Sequence, residues 1–159
     1  MTKPLDIVVN ISIAAPVAEC FNYIVPVKLA HIFRPYLLLP GVKHTDEAER
    51  WATPDISHTV YFTDGSTAKE ELLTVEPPQS FTYRISAFTG INKFLVSHIK
   101  GTWQFTPNND KTDIKWTYSL ICHNTVARFA AKVVVAPMLR RYLQRALQIL
   151  EADLEKKNV

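Results

Sequence analysis

Glycine is scarce in this sequence, with four glycines among 159 residues. A phosphate-binding loop needs several glycines close together, because only a residue without a side chain lets the backbone approach a phosphate so closely. The glycines here are scattered along the chain, at Gly41, Gly65, Gly90 and Gly101. The sequence therefore offers no loop of the kind that nucleotide-binding enzymes use for phosphate groups.

Cysteine is also scarce, and the histidines are not spaced as metal ligands are. Cys20 and Cys122 are the two cysteines of the sequence, and their separation matches neither a zinc nor a redox motif. No histidine has a second histidine, cysteine or carboxylate at ligand spacing on a shared face, and the five histidines are His31, His44, His58, His98 and His123. We expect two buried free thiols, no metal site and no cofactor, and the sequence contains no nucleophile elbow.

Long apolar runs and strong net charge are missing as well. No apolar run reaches the roughly 20 residues that a membrane-spanning helix needs, and the first six residues predict no signal peptide. The formal net charge of +3 is too small and too dispersed to indicate nucleic-acid binding. With 47% apolar and 21% charged residues, the composition predicts one soluble, cytoplasmic domain over residues 1–159.

Most of the chain consists of short segments in which apolar and polar residues alternate, the pattern of β-strands. Turn-forming residues separate them: Asp64-Gly65 predicts a two-residue hairpin loop, and residues 76–79, with two prolines, predict a turn. The predicted strands are residues 7–13, 42–48, 58–62, 67–75, 80–86, 96–106 and 112–122. Because the connections are short, consecutive strands are expected to pair as an antiparallel meander.

Two short helices and one long helix complete the pattern. Apolar residues recur at helical spacing after Pro16, and residues 27–33 predict a second short helix bounded by prolines. Residues 126–155 predict one long helix, with a stripe of leucines at positions 139, 143, 147, 150 and 154. Its first half, residues 129–136, is apolar on nearly every face, so it should be covered or face something apolar. Pro137 is expected to kink or restart this helix, because proline cannot donate the backbone hydrogen bond.

Three segments of the sequence resemble a known superfamily. Residues 11–24 resemble its opening strand, proline and helix, residues 73–83 its strand, Pro-Pro turn and strand, and residues 101–107 with 112–118 its last hairpin. In these segments the chain is similar to START-like helix-grip proteins (the SRPBCC group), which include Bet v 1 allergens, lipid-transfer START domains and polyketide cyclase/dehydrase-like proteins. The resemblance implies an α+β helix-grip fold, in which a strongly curved seven-stranded antiparallel sheet wraps around a long C-terminal helix. It further implies a cavity for a hydrophobic or amphipathic molecule between sheet and helix, with no shared catalytic motif.

Alternation along the strands predicts which side chains face the inside of such a sheet. For the last three strands, the predicted inward set is Phe81, Tyr83, Ile85, Ile99, Trp103, Phe105, Ile114, Trp116, Tyr118 and Leu120. The strand at 67–75 allows two registers. The inward side chains are Ala68, Glu70, Leu72 and Thr74 in the first register, and Glu71, Leu73 and Val75 in the second. An inward carboxylate would need a partner or a raised pKa, and the alternative is a solvated glutamate at the edge of a strand.

Aromatic side chains that carry one polar group suit the orientation of a mostly apolar ligand, although each of them can equally fill the core. The predicted ligand-binding residues are Glu70 as the polar anchor, Tyr83, Ile85, Trp103, Trp116, Tyr118, Phe129, Val133 and Met138. His58 and His98 lie on predicted strands, where either is a general base if it faces inward and otherwise an ordinary surface or hydrogen-bonded histidine. Residues 87–95 predict either a lid over the cavity or a packed hairpin tip.

Three functions fit this pattern. The first is the binding of a hydrophobic small molecule, lipid-like or polycyclic. The second is an enzyme of the polyketide cyclase or dehydratase type, which uses a cavity Glu, Tyr or His as acid and base. The third is a partner-binding module without catalysis. The basic residues of the long helix are either a solvated face or attracted to an anionic head group or membrane surface; they are Arg128, Lys132, Arg140, Arg141 and Arg145.

Overall fold

A sheet of seven strands and a long C-terminal helix make up most of the structure. The structure, a computed structural model, describes residues 2–46, 51 and 53–157. The strands are β1 (Leu5–Ile13), β2 (Val42–Thr45), β3 (Ser57–Phe62), β4 (Thr67–Glu76), β5 (Ser80–Ser86), β6 (Val96–Asn108) and β7 (Lys111–Cys122). The helices are α1 (Val17–Ile24), α2 (Leu29–Ile32), α3 (Thr125–Ala130) and α4 (Ala136–Lys157), and a five-residue π-turn (Ala131–Val135) joins the last two.

The sheet is antiparallel throughout, with its strands in the order β1-β7-β6-β5-β4-β3-β2. The strands β2 to β7 pair with their neighbours in the sequence, and β1 completes the sheet beside β7. The long helix packs against this sheet, chiefly along β1. The predicted meander and the α+β helix-grip fold are therefore confirmed. Of the predicted strand at 42–48, residues 47 and 48 lie outside the described part of the chain.

Phe62 and Ser66 close the hairpin between β3 and β4 around a three-residue loop, residues 63–65, so the prediction of a two-residue loop is wrong. The backbone N–H of Phe62 donates to the carbonyl of Ser66 at 2.9 Å, and the N–H of Gly65 donates to the carbonyl of Phe62 at 3.1 Å. Gly65 has a φ of +88°, whereas a two-residue loop would need a positive φ at Asp64 as well. A type I turn followed by one left-handed residue is the usual three-residue hairpin loop. This loop length sets the register of β3 against β4.

The C-terminal helix begins with a side-chain cap and continues through Pro137. The Oδ1 atom of Asn124 accepts a hydrogen bond of 2.8 Å from the N–H of Ala127, which satisfies one of the free donors of the first turn. The N–H of Ala136 donates to the carbonyl of Ala131, five residues earlier, as in a π-turn. The irregularity that we expected at Pro137 thus takes the form of a π-turn directly before the proline, after which α4 continues.

The leucine stripe of α4 lies in the core. Leu143, Leu147, Leu150 and Leu154 have no exposed surface, and Leu139 is 7% exposed. Burying one such side chain stabilises the fold by about 1.5–3 kcal/mol relative to leaving it in water. The stripe therefore fixes the second half of the long helix against the rest of the molecule, as the periodicity predicts.

The inward and outward faces of the central strands are those that the alternation predicts. All ten side chains predicted to face inward on β5, β6 and β7 are buried. On β4 the first register is correct up to Leu72, because Ala68, Glu70 and Leu72 are buried. Thr74 is exposed, so its predicted inward position is wrong. The pairing of β4 with β5 shifts between Leu72 and Thr74, and such an irregularity exchanges the two faces of a strand.

Candidate ligand-binding site

Two cavities, each partly open to solvent, lie between the sheet and the helices and share part of their walls. The first has a volume of about 230 Å³ and lies between the sheet and the segment of α1 and α2. The second has a volume of about 90 Å³ and extends towards α4. Leu29, Phe33 and Glu70 line both cavities, so these three side chains form the partition between them. The sheet supplies one wall of this interior space and the helices supply the other.

A buried histidine–carboxylate pair lies in the wall of the first cavity. His58 on β3 and Glu70 on β4 are directly opposite each other, because the three-residue loop brings these positions into register. The distance between His58 Nε2 and Glu70 Oε1 is 2.7 Å, and the two side chains are 7% and 8% exposed. The ring of Trp51 stacks on the imidazole with 4.2 Å between the ring centroids. The chain therefore holds a hydrogen-bonded histidine–carboxylate pair in an aromatic setting that excludes most water.

A close contact between Tyr83 and Gly101 fixes the next polar group of the cavity. The two residues are cross-strand partners on β5 and β6. A Cβ atom added to Gly101 would lie 2.1 Å from Cζ of Tyr83, so the phenol ring occupies the space that a side chain at position 101 would need. Covering a strand glycine with a cross-strand aromatic ring is a known way to stabilise a sheet. The absence of a side chain at Gly101 thus lets the tyrosine ring lie flat on the sheet.

The hydroxyl of Tyr83 is a buried hydrogen-bonding group. The indole Nε1–H of Trp116 donates to the Tyr83 hydroxyl oxygen at 2.9 Å. Burial raises the pKa of Tyr83 well above its usual range, and the negative charge of Glu70 raises it further. Burial likewise raises the pKa of Tyr118. Both phenols therefore stay protonated at neutral pH and can act as neutral polar groups towards a ligand.

Aromatic rings form most of the remaining wall, and Phe33 is the ring at the partition. Trp103 and Trp116 stack with 4.1 Å between their centroids. Phe33 stacks on Tyr142 of α4 at 5.2 Å and lies 5.8 Å from Trp116. The Tyr142 hydroxyl donates to the carbonyl of Pro40 at 2.7 Å, which ties α4 to the segment after α2. Phe33 thus lies between the two cavities and borders both.

The structure brings some of the predicted site residues together and places others elsewhere. Glu70, Tyr83, Trp103 and Trp116 line the first cavity. Glu70, Ile85 and Tyr118 line the second cavity. Phe129 and Val133 are 68% and 56% exposed. Met138 is half-buried on α4, outside both cavity walls.

The two candidate histidines face different ways. His58 faces the interior, whereas His98 is on the other side of the sheet, where its Nδ1 atom lies 2.7 Å from the Ser97 hydroxyl. Partial burial, with a smaller effect of the nearby Arg84 charge, lowers the pKa of His98.

The loop at 87–95 contains a short 3₁₀ turn (Ile91–Phe94). Phe88 and Asn92 of this loop line the second cavity, and Ile91 and Phe94 are exposed.

Sequence reasoning missed several residues of the site. Among them are Leu29, Phe33, Trp51 and Tyr142, which line the cavities. The proline-bounded segment after α1 carried no signal that it covers the open side of the sheet. His58 appeared only as a general candidate, because its pairing with Glu70 depends on the length of one loop. Counting a three-residue loop around Gly65 would have found the pair.

The described residues show neither a metal centre nor a membrane-spanning helix. Within residues 2–46, 51 and 53–157, no group of three or more His, Cys, Asp or Glu side chains could hold a metal ion. In the same part of the chain, no helix is long and apolar enough to cross a membrane. Cys20 and Cys122 are free and buried, as the sequence predicts.

The sequence and the fold agree with one family. Residues 4–155 match the sequence profile of the family described as "Polyketide cyclase / dehydrase and lipid transport". The chain belongs to this family. The resemblance to the START-like helix-grip superfamily is thereby confirmed. None of the curated proteins matches the chain.

Solved structures share the fold at low sequence identity. Ara h 8.0201 is similar with a TM-score of 0.68 at 13% identity, covering 97% of this chain and 99% of that chain. CV1439 from Chromobacterium violaceum has a TM-score of 0.67 at 17% identity, covering 94% of this chain and 96% of that one. DynU16, from the dynemicin biosynthetic locus, has a TM-score of 0.64 at 21% identity. The similarity covers 94% of this chain and 47% of DynU16, so this chain spans about half the length of that protein. At these identities the similarity establishes the helix-grip fold.

Proposed function

We propose that this protein binds a hydrophobic or amphipathic small molecule, lipid-like or polycyclic. The ligand lies between the sheet and the segment that contains α1 and α2, and the space towards the C-terminal helix is its extension. The observation that carries the proposal is the buried His58–Glu70 pair in the wall of an aromatic cavity. An apolar pocket with a few convergent polar groups is the usual composition of a small-molecule site. The description of the family, which includes lipid transport, supports the same function.

Burial of apolar surface would supply most of the affinity. At about 25 cal/mol per Å², a ligand that buries on the order of 300 Å² gains about 7.5 kcal/mol before the costs of association. The polar groups have a different task. Glu70 and the Tyr83 hydroxyl lie in the same wall, so a ligand hydroxyl or carbonyl near them would fix the orientation of the apolar body.

The size of the cavities limits what can bind without rearrangement. The first cavity, at about 230 Å³, is smaller than the roughly 300–1,000 Å³ of most ligand sites. A ring system or short chain fits this volume. A longer ligand would have to displace Phe33 and enter the second cavity as well. We therefore expect affinity to depend on chain length or ring number, with Phe33 deciding the upper limit.

Intrinsic fluorescence offers a direct test of this function. The sequence has three tryptophans, and all of them, Trp51, Trp103 and Trp116, line the first cavity. Titration with a panel of fatty acids and aromatic polyketides should produce a saturable change in tryptophan emission and a matching rise in Tm. Glu70→Gln should weaken the binding of ligands whose hydroxyl group donates to Glu70, and it should leave the binding of pure hydrocarbons unaffected.

The control for this experiment is Phe129→Ala, which changes an apolar residue outside both cavities that is 68% exposed. It should bind the panel as the unaltered protein does. The proposal fails if no compound in the panel changes either the emission or the Tm.

The second candidate function, an enzyme of the cyclase or dehydratase type, is favoured by the same pair. A histidine held by a carboxylate can remove a proton next to a carbonyl of the bound molecule, and the carboxylate orients the ring and stabilises the imidazolium. The distinguishing measurement uses His58→Gln with a ligand found in the panel. Loss of turnover at unchanged Kd would support catalysis, whereas loss of affinity alone would support binding.

A further inference from the structure

A third pocket lies on the outer surface, between the end of α2 and the middle of α4. It has a volume of about 380 Å³. Its polar lining residues are Arg34, Arg145 and Gln148, all of them exposed, and its apolar lining residues are Ile32, Ile149 and Ala152. We call it the Arg34–Arg145 pocket. Ile32 and Tyr142 separate it from the two interior cavities, because each also lines one of those cavities.

Among the described residues, the positive charge in this pocket has no acidic partner. None of its lining residues carries a carboxylate. In the part of the chain that the structure describes, Arg34 forms no ion pair or hydrogen bond, and Arg145 contacts the ring of Tyr36, with 5.2 Å between the guanidinium carbon and the ring centroid. Two guanidinium groups without an acidic partner, on one concave surface, favour an anion.

Two acidic residues, Glu151 and Asp153, flank Ala152 on α4, and neither of them lines the pocket. The Oδ2 atom of Asp153 accepts a hydrogen bond from the Tyr23 hydroxyl at 2.8 Å and lies 2.7 Å from His31 Nε2. The Tyr142 hydroxyl donates to Pro40, so the donors that remain for a ligand come from the two arginines and Gln148. Stacking on Tyr36 restricts the Arg145 side chain and lowers the entropy lost when it binds an anion.

We propose that the Arg34–Arg145 pocket binds an anionic group, a carboxylate or a phosphate, with Arg34 and Arg145 as its charged contacts and Gln148 as a third donor. The apolar floor accepts the carbon atoms next to that group. The anion arrives either as a free small ion or as the head group of an amphiphile. This site does not rest on the proposed function, because it lies outside both interior cavities.

The location of binding can be measured directly with ¹⁵N-labelled protein. Inorganic phosphate should shift the side-chain Nε–Hε signals of Arg34 and Arg145 and leave that of Arg140 unchanged. Arg140 is exposed on α4 and does not line the pocket, so Arg140→Gln is the matched control for the loss of one positive charge. Arg34→Gln and Arg145→Gln should each weaken phosphate binding about tenfold, the loss of one charge-assisted contact, whereas Arg140→Gln should change it less than about twofold.

A further probe, dodecyl phosphate, distinguishes a free anion from the head group of an amphiphile. If dodecyl phosphate binds much more tightly than inorganic phosphate and loses this advantage in Arg34→Gln, the pocket takes the head group of an amphiphile. If both phosphates bind equally, the pocket takes a free anion. If the three glutamine variants lose affinity equally, binding reflects net charge alone and the proposal is wrong. It is also wrong if phosphate leaves the Arg34 and Arg145 signals unchanged.

Discussion

The imidazole of His58 and the carboxylate of Glu70 are 2.7 Å apart in a position that is almost closed to water. Transferring two such groups out of water costs several kcal/mol per ion, and their attraction repays this cost only in part. A buried pair of this kind is therefore weak evidence for stability. Its position in a cavity wall makes it the polar centre on which the proposed function depends.

Removing one member of this pair should lower the free energy of unfolding more than removing both. His58→Leu leaves the Glu70 carboxylate buried without its partner, so we expect the free energy of unfolding to fall by about 3–5 kcal/mol. The double variant His58→Leu/Glu70→Leu should lose less than either single variant, because no polar group is then left unpaired. Urea unfolding of the four proteins in a double-mutant cycle measures this. Additive losses would show that the two side chains do not act as a pair.

The register of one hairpin decided how much of the site could be predicted. Period-two alternation correctly placed the inward side chains of β5, β6 and β7, since one face of each strand is apolar. It could not decide between Glu70 and Glu71 on β4, where polar residues occur on both faces. A two-residue loop at Asp64-Gly65 would have placed Glu71 opposite His58, and the three-residue loop places Glu70 there. One residue of loop length thus selects the carboxylate that enters the cavity.

The C-terminal helix could be predicted in its second half but not in its first. Its leucine stripe was predictable, because a regular 3.6-residue period has one buried face. Its first half, which has no polar face, carries no such signal, and hydrophobicity alone does not say which residues meet solvent. The structure leaves Phe129 and Val133 exposed and uses Phe33, from the short segment after α2, at the partition between the cavities. Contacts between segments distant in sequence determine this difference, and a single sequence does not record them.

The contact between Tyr83 and Gly101 should be sensitive to a single methyl group. Gly101→Ala places a Cβ atom 2.1 Å from the phenol ring, so the ring or the strand must move. We expect a loss of about 1–3 kcal/mol in the free energy of unfolding, the usual cost of overpacking. The same substitution in a Tyr83→Ala background should cost no more than about 0.5 kcal/mol, because the space is then empty. Thermal and urea unfolding would measure the effect of Gly101→Ala in the unaltered protein and in Tyr83→Ala. If the substitution lowers the free energy of unfolding equally in both, the strain does not come from the Tyr83 ring.

Two positions of the long helix should respond very differently to alanine. Leu147 has no exposed surface, so Leu147→Ala should lower the free energy of unfolding by about 2–5 kcal/mol, the cost of a buried leucine and its cavity. Phe129 is 68% exposed, so Phe129→Ala should change it by no more than about 0.5 kcal/mol. Urea unfolding measures both. A large loss in Phe129→Ala would mean that this side chain is covered in solution, for example by a second molecule.

The contacts of Asp153 with Tyr23 and His31 predict that the stability of the fold depends on pH in the acidic range. Burial alone would raise the pKa of this carboxyl, but the hydrogen bonds from His31 and Tyr23 outweigh it and lower the pKa below the ordinary value of 3.8. A lowered pKa in the folded state means that Asp153 stabilises the protein above pH 3.8, and that this contribution disappears as the pH falls through the folded-state pKa.

Asp153→Asn should therefore be less stable than the unaltered protein at about pH 6, and the difference should shrink as the pH is lowered to about 3. Urea unfolding at a series of pH values measures the difference. Asp110→Asn, which removes the same charge from the exposed turn between β6 and β7, is the matched control and should show no such convergence. If the Asp153→Asn difference stays constant over this range, the carboxylate does not hold α1 and α2 against α4 through its charge.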